Sequence, residues 1–361
     1  MPDRLLIRGL VGTPSAILVE QGRIVALDEE AALVGDADEL DGSGLSAHPG
    51  FIELQVNGID DLDFTSDPSS IGRAGSALAL RGVTSYLATI VTSPRGTVEA
   101  AVDARRAAVR DATPGAVPIG LHVEGPFISP DRAGAHDPAH LRVPDDEIAT
   151  WEPGDVRMVT LAPELPGALA AIDRLARAGI VAAIGHTDAD AATTARGIDA
   201  GARYATHLFN GMRPLGHREP GPIGALLADE RMTIGLIADG RHVDPVVLAL
   251  AARAMCGRLS IVSDGVGDRL GEQPLRDGHR PDGTLAGGGA GLDEGVRTMA
   301  ALVGPDAAIE AVTATPARLL GLDDGRGFIR LGGRADLVLL TDRLEVARTI
   351  VGGQPARAGG S

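Results

Sequence analysis

Glu124 closes the apolar run Leu121-His122-Val123, and Gly125-Pro126 stop it. A carboxylate at the end of a buried strand is costly unless something compensates its charge. Taken alone, Glu124 reads as a salt bridge or a turn cap as readily as a metal ligand. Three other sites change the weight. Gly185-His186-Thr187-Asp188, Thr206-His207 and Ser263-Asp264-Gly265 each set a polar group directly after an apolar run. Two imidazoles and one carboxylate make a three-ligand zinc site that keeps a fourth position for water. Water held there ionises at about pH 7. A nearby carboxylate that is not a ligand can take its proton and pass it to the leaving group. The residues thus predict Glu124, His186 and His207 as ligands, Asp264 as base and then acid, and hydrolysis as the chemistry.

These side chains lie far apart in sequence, so the fold must bring them together. Apolar runs of strand length recur at Phe51 to Gln55, Val83 to Thr89, Val117 to Val123, Val156 to Ala162, Ile180 to Gly185, Arg203 to Thr206, Thr233 to Ala238 and Leu259 to Ser263. Helical patterns fall between them, as at Ala168 to Ala178, Asp190 to Ala200 and Asp244 to Ala254. Strands alternating with helices imply parallel pairing, and near-continuous apolar strands imply burial on both faces. Eight such units predict a (β/α)8 TIM-like barrel over 49–326, with its active site at the C-terminal strand ends. A doubly wound open sheet competes, but the first turn lacks GxGxxG. Residues 1–48 and 327–361 carry short strands with Gly-rich turns. Neither end suffices alone, so both are expected to pair into one small β-sandwich domain.

Composition narrows the partners. The net charge is -16, which argues against nucleic acid. Aromatic residues are 2% of the chain, so Ala, Val, Leu and Ile must fill the core. The single cysteine, Cys256, excludes an internal disulfide and fits a reducing cytoplasm. The first residues lack a signal-peptide pattern, and no apolar run reaches bilayer-spanning length. The expectation is a cytoplasmic protein with no membrane partner.

The motifs resemble a known family. His48-Pro49-Gly50-Phe51-Ile52-Glu53 is similar to the barrel entry of the amidohydrolase superfamily. His122-Val123-Glu124-Gly125-Pro126-Phe127, Gly185-His186-Thr187, Ala205-Thr206-His207-Leu208-Phe209-Asn210, Arg218-Glu219-Pro220-Gly221 and Ala238-Asp239-Gly240-Arg241-His242-Val243 resemble, more narrowly, the N-acetylglucosamine-6-phosphate deacetylase family. That resemblance implies hydrolysis of N-acetyl-D-glucosamine 6-phosphate to D-glucosamine 6-phosphate and acetate. It implies the same ligands and the same acid/base. It also implies His136 as the group that polarises the acetyl carbonyl, and Asn210, Gly211, Arg218 and His242 as substrate contacts. Arg218 and His242 would reach the neighbouring subunit's site in a homodimer. Many superfamily members carry His-x-His on the first strand. Gln55 and Asn57 stand there instead, which implies one divalent ion per subunit, with these amides as second-site or water contacts. Zinc is the expected metal; iron, cobalt and manganese suit the same ligands. Gly211 and Gly265 depart from the commoner Ala. The tract 268–280 reads only as a surface loop.

Two rival functions remain open on sequence alone. One is another amidohydrolase, acting on an N-acyl amino acid or a cyclic amide, for which a phosphate clamp such as Arg218 would be useless. The other is a catalytically silent barrel, which would be expected to lack a ligand or the acid/base.

Overall fold

The computed structural model describes residues 4–33, 35–255, 257–270, 273–276, 278–281 and 283–356. Cys256 and the tail from 357 therefore lie outside the described residues.

Eight parallel strands follow one another around a barrel in sequence order. They are Phe51–Val56, Val83–Val91, Val117–Glu124, Val156–Leu161, Val181–Ile184, Tyr204–Ala205, Thr233–Ile237 and Leu259–Val262. Every residue of the first is buried, as expected for strands covered on both faces. The helices bury single stripes. Ala168–Arg177 turns Ala168, Ala171, Ile172 and Leu175 inward, the i, i+3, i+4, i+7 spacing of an amphipathic helix. Asp190 caps Ala191–Asp199 by accepting from the Thr193 N–H at 2.7 Å, which satisfies one orphan donor of the first turn. The two outermost strands meet at the mouth. Asp264 N–H donates to the Gln55 carbonyl at 3.0 Å, and Asn57 N–H to that of Gly265 at 2.7 Å. An open sheet has no such contact between its edges.

The chain ends build two four-stranded sheets. One joins Arg23–Leu27, Ala16–Glu20, Arg4–Arg8 and Asp38–Asp41; the other joins Gln354–Pro355, Val346–Val351, Leu337–Leu340 and Ser46–Pro49. Period-two alternation decides the packing. Leu5 and Ile7 meet Leu337, Leu339 and Ile350 between the sheets. Val338 and Leu340, on the opposite face, join the barrel's core. The strand Leu337–Leu340 is apolar throughout because it is shared by both cores.

Below the mouth, Glu53 fills the seam between first and eighth strands. Its carboxylate accepts from the Gln55 N–H at 3.1 Å and the Ser263 N–H at 3.1 Å. Burial pushes its pKa up from 4.5 to about 8, against these hydrogen bonds, which favour the anion. A folded-state pKa raised above the unfolded one gives stability that is complete below pH 4.5 and is lost as pH rises through about 8. We therefore expect the melting temperature of the wild-type protein to fall across this window more steeply than that of Glu53→Gln, followed by thermal denaturation at matched ionic strength. Parallel profiles would remove Glu53 as the source.

Candidate metal centre

Glu124 is the last residue of the third barrel strand. His186, His207 and Asp264 follow the fifth, sixth and eighth strands, with φ of 47°, 27° and 48°. Non-glycine residues in this left-handed region cost roughly 1–3 kcal/mol each and gather at functional sites. All four residues line one cleft at the barrel mouth and are buried.

Three ligand atoms form a tight triangle. Glu124 Oε1 lies 3.0 Å from His207 Nε2 and 3.3 Å from His186 Nε2, and the two imidazole nitrogens are 3.1 Å apart. His186 Nδ1 sits 2.8 Å from the Arg132 carbonyl. A carbonyl only accepts, so Nδ1 carries the hydrogen and Nε2 presents a lone pair to the triangle. Lone pairs at such distances require a cation or a proton among them. A tetrahedral ion with ligands at about 2.0–2.1 Å has edges of about 3.3–3.4 Å, so the donor set fits a divalent metal. Burial would lower His207, but the hydrogen bond and charge of Glu124 prevail and raise it to about 9. Burial would raise Glu124, but His186 and His207 hold it well below the usual carboxylate range.

His136 adjoins this triangle, its ring edge-on to His186 with centroids 4.5 Å apart. It forms a looser group with Glu124 and His186, of which the ligand atoms lie within 4.8 Å of one another. The tighter triangle through His207 is the better ligand set, because His136 Nδ1 is already engaged. It accepts from the Thr92 N–H at 3.3 Å and bonds the Thr92 hydroxyl at 2.8 Å. Burial, and after it the neighbouring imidazole of His186, push His136 down to about 3. The ring is thus neutral with its proton on Nε2, the form that can donate a hydrogen bond to a carbonyl oxygen.

Gln55 and Asn57 act as donors here. Gln55 Nε2 donates to Glu124 Oε1 at 2.9 Å and to Asp264 Oδ1 at 3.1 Å. Asn57 Nδ2 donates to the same Asp264 oxygen at 2.9 Å. The flanking acceptors fix both amide orientations. Burial, then the charge of Glu124, raise Asp264 to about 6, a value suited to exchanging protons near neutrality.

The remaining expected residues divide. Asn210, Gly211 and His242 line the cleft. A Cβ on Gly211, where φ is +58°, would stand 2.7 Å from His186 Nδ1, so close packing favours glycine over alanine here. Asp239 Oδ2 fixes His242 Nδ1 at 2.8 Å. Arg218 is exposed on the segment 213–220 and does not line the cleft of its own chain. The tract after the eighth strand is more than a surface loop: Leu270, with Leu285 and Ala286 beyond it, forms part of the cleft wall. Its alternation of polar residues and glycine gave no periodicity from which that role could be read. Arg132 and Thr92, which set the histidine tautomers, were also missed, because a backbone carbonyl or N–H leaves no mark on residue type.

The chain matches the Amidohydrolase family model over residues 47–356. It is 38% identical over 371 residues to N-acetylglucosamine-6-phosphate deacetylase of Homo sapiens, covering 93% of this chain and 90% of that one. It is 35% identical over 327 residues to N-acetylgalactosamine-6-phosphate deacetylase of Escherichia coli O157:H7, covering 85% and 87%. A solved structure of a mutant N-acetyl-D-glucosamine-6-phosphate deacetylase from Mycobacterium smegmatis, in complex with N-acetyl-D-glucosamine-6-phosphate, superposes with a TM-score of 0.87 at 31% identity, covering 98% and 99%.

Metal uptake should depend on pH in one direction. A raised His207 must release its proton to ligate, so apparent affinity should rise about tenfold per pH unit up to about 9. Competition with a chelator, together with proton release in weak buffer, measures this. Affinity flat between pH 6 and 9 would exclude a protonated His207 in the metal-free site.

Proposed function

We propose, from the premise that the chain belongs to the amidohydrolase family, that it deacetylates N-acetyl-D-glucosamine 6-phosphate to D-glucosamine 6-phosphate and acetate. The observation that carries this reading is the convergence of Glu124, His186 and His207 on one point, with Asp264 and a neutral His136 beside it. We take one divalent ion, zinc by ligand type, to be held by those three residues. When bound, it supplies a water of lowered pKa and polarises the amide carbonyl.

The chain's own groups do the rest. Asp264 Oδ1 is engaged by two amide hydrogens, so Oδ2 is the oxygen that takes the water's proton and returns it to the leaving nitrogen. His136 donates from Nε2 to the acetyl oxygen as negative charge develops there, the stage at which such a donor counts most. Gln55 donates to both Glu124 and Asp264 and so offsets part of the repulsion between their charges. His242 and the backbone at Asn210 and Gly211 receive the sugar phosphate.

Arg218 completes the phosphate site from a neighbouring subunit, since it stands exposed on its own chain. Exposed Leu215 on the same segment, with Val246 and Leu250 on the helix Pro245–Met255, supplies apolar surface for a homodimer. No helix among the described residues is long and apolar enough to cross a membrane. We place the enzyme in the cytoplasm, because a phosphorylated sugar is used in the compartment that makes it. The galacto epimer is a second substrate to consider, because a relative of similar identity bears that name.

Acetate release from both epimers, phosphorylated and not, is the direct test. Release from the gluco phosphate is expected, and none from it would overturn the assignment. Asp264→Asn should keep its metal while kcat falls about 10²- to 10⁴-fold; near-normal turnover would remove Asp264 from proton transfer. Arg218→Ala should raise KM for the phosphorylated sugar about tenfold or more. An unchanged preference for phosphorylated over unphosphorylated sugar would count against the clamp.

A further inference from the structure

Beside the cleft, one carboxylate ties together three loops. Arg132 sends Nε and Nη2 to Asp188 Oδ1 at 2.8 and 2.7 Å. Arg213 Nη2 donates to Asp188 Oδ2 at 2.8 Å. Asp188 is two residues beyond His186. Arg132 sits on the loop that carries His136, and Arg213 follows Asn210 and Gly211. Backbone bonds join the same three segments. Ser129 N–H donates to the His186 carbonyl at 2.9 Å, Thr187 N–H to that of Gly211 at 3.0 Å, and Arg213 N–H to that of Thr187 at 3.1 Å. Glu164 in turn holds the Asp188 N–H at 2.7 Å.

The important contact runs through Arg132. Its guanidinium is held by Asp188 and its carbonyl takes the His186 Nδ1 hydrogen at 2.8 Å. That hydrogen bond decides which His186 nitrogen faces Glu124 and His207. Outer partners of this kind orient a ligand histidine and tune its basicity.

We infer that Asp188 is a positioning residue for the metal centre: through Arg132 it holds the carbonyl that orients His186, and through Arg213 it keeps the Asn210-Gly211 segment in register with it. The inference rests on the metal reading above. The side chains of Asp188, Arg132 and Arg213 are 26%, 32% and 37% exposed. Ion pairs this open to solvent contribute little to folding stability. The effect of Asp188 should therefore appear in the site rather than in the melting temperature.

The test compares purified wild-type, Asp188→Ala, Asp188→Asn and Arg231→Ala proteins. Arg231 makes comparable ion pairs to Asp199 and Asp229 away from the cleft. Zinc affinity is read by chelator competition, site geometry by the visible spectrum of the cobalt(II) form, and the fold by the melting temperature of the metal-free protein. Asp188→Ala should weaken zinc binding about 10- to 100-fold and shift the cobalt spectrum, with metal-free melting close to wild type. Asp188→Asn keeps an acceptor for one arginine and turns an amide N–H toward the other, so it should recover only part of the affinity. Arg231→Ala should bind zinc as wild type does. Wild-type affinity in Asp188→Ala, or equal weakening in Arg231→Ala, would overturn the inference. A wild-type protein that takes up no divalent ion would instead overturn the metal reading itself.

Discussion

The Glu124 carboxylate is 2% exposed, and the site is arranged around the need to neutralise it. An isolated buried carboxylate would take up a proton rather than remain charged. Here it stays an anion because His207 and the Gln55 amide both meet the same oxygen as donors. The same convergence leaves a bare imidazole lone pair facing a carboxylate oxygen at 3.3 Å. A proton or a cation among these atoms resolves that conflict, a divalent ion most completely. Metal affinity and proton affinity are thus two outcomes of one electrostatic problem.

The amides on the first strand set the second half of that problem. Imidazoles at 55 and 57 would offer further lone pairs to metal. Amide N–H groups instead offer hydrogens, and both point at carboxylates. Gln55 lies between Glu124 and Asp264, so the two acids share a donor rather than a cation. The result is a division of states. Glu124 is pushed far down by its histidines, while Asp264 is raised to about 6 by burial and by the charge of Glu124. Two carboxylates held at different proton affinities are what separate ligand and acid/base roles require.

Much of this was legible in the sequence, for physical reasons. Buried parallel strands read as apolar runs, and the eight runs fall where the strands lie, the shortest being Tyr204–Ala205. Barrel geometry then sends the polar residue after each run to one rim, so Glu124, His186, His207 and Asp264 could be grouped before any coordinates. The closure of that rim was harder to read. The tautomers of His186 and His136 depend on a carbonyl and an N–H, which every residue type provides. The cleft wall at Leu270, Leu285 and Ala286 comes from a tract too irregular for any periodicity.

The left-handed backbones of His186, His207 and Asp264 bear on how ready the site is before metal arrives. Such conformations persist only where their surroundings over-determine them. In all three, the carbonyl of the strained residue is held by a backbone N–H: Ser129 for His186 at 2.9 Å, Asn210 for His207 at 3.0 Å, and Gly288 for Asp264 at 2.8 Å. Each donor lies in a loop that also borders the cleft, so the loops that shape the substrate space are the ones that hold the reactive residues in place. A side chain pinned through its own backbone loses little freedom when it binds. The ligand triangle, with edges of 3.0–3.3 Å, is drawn together by loops that the chain's own backbone hydrogen bonds hold.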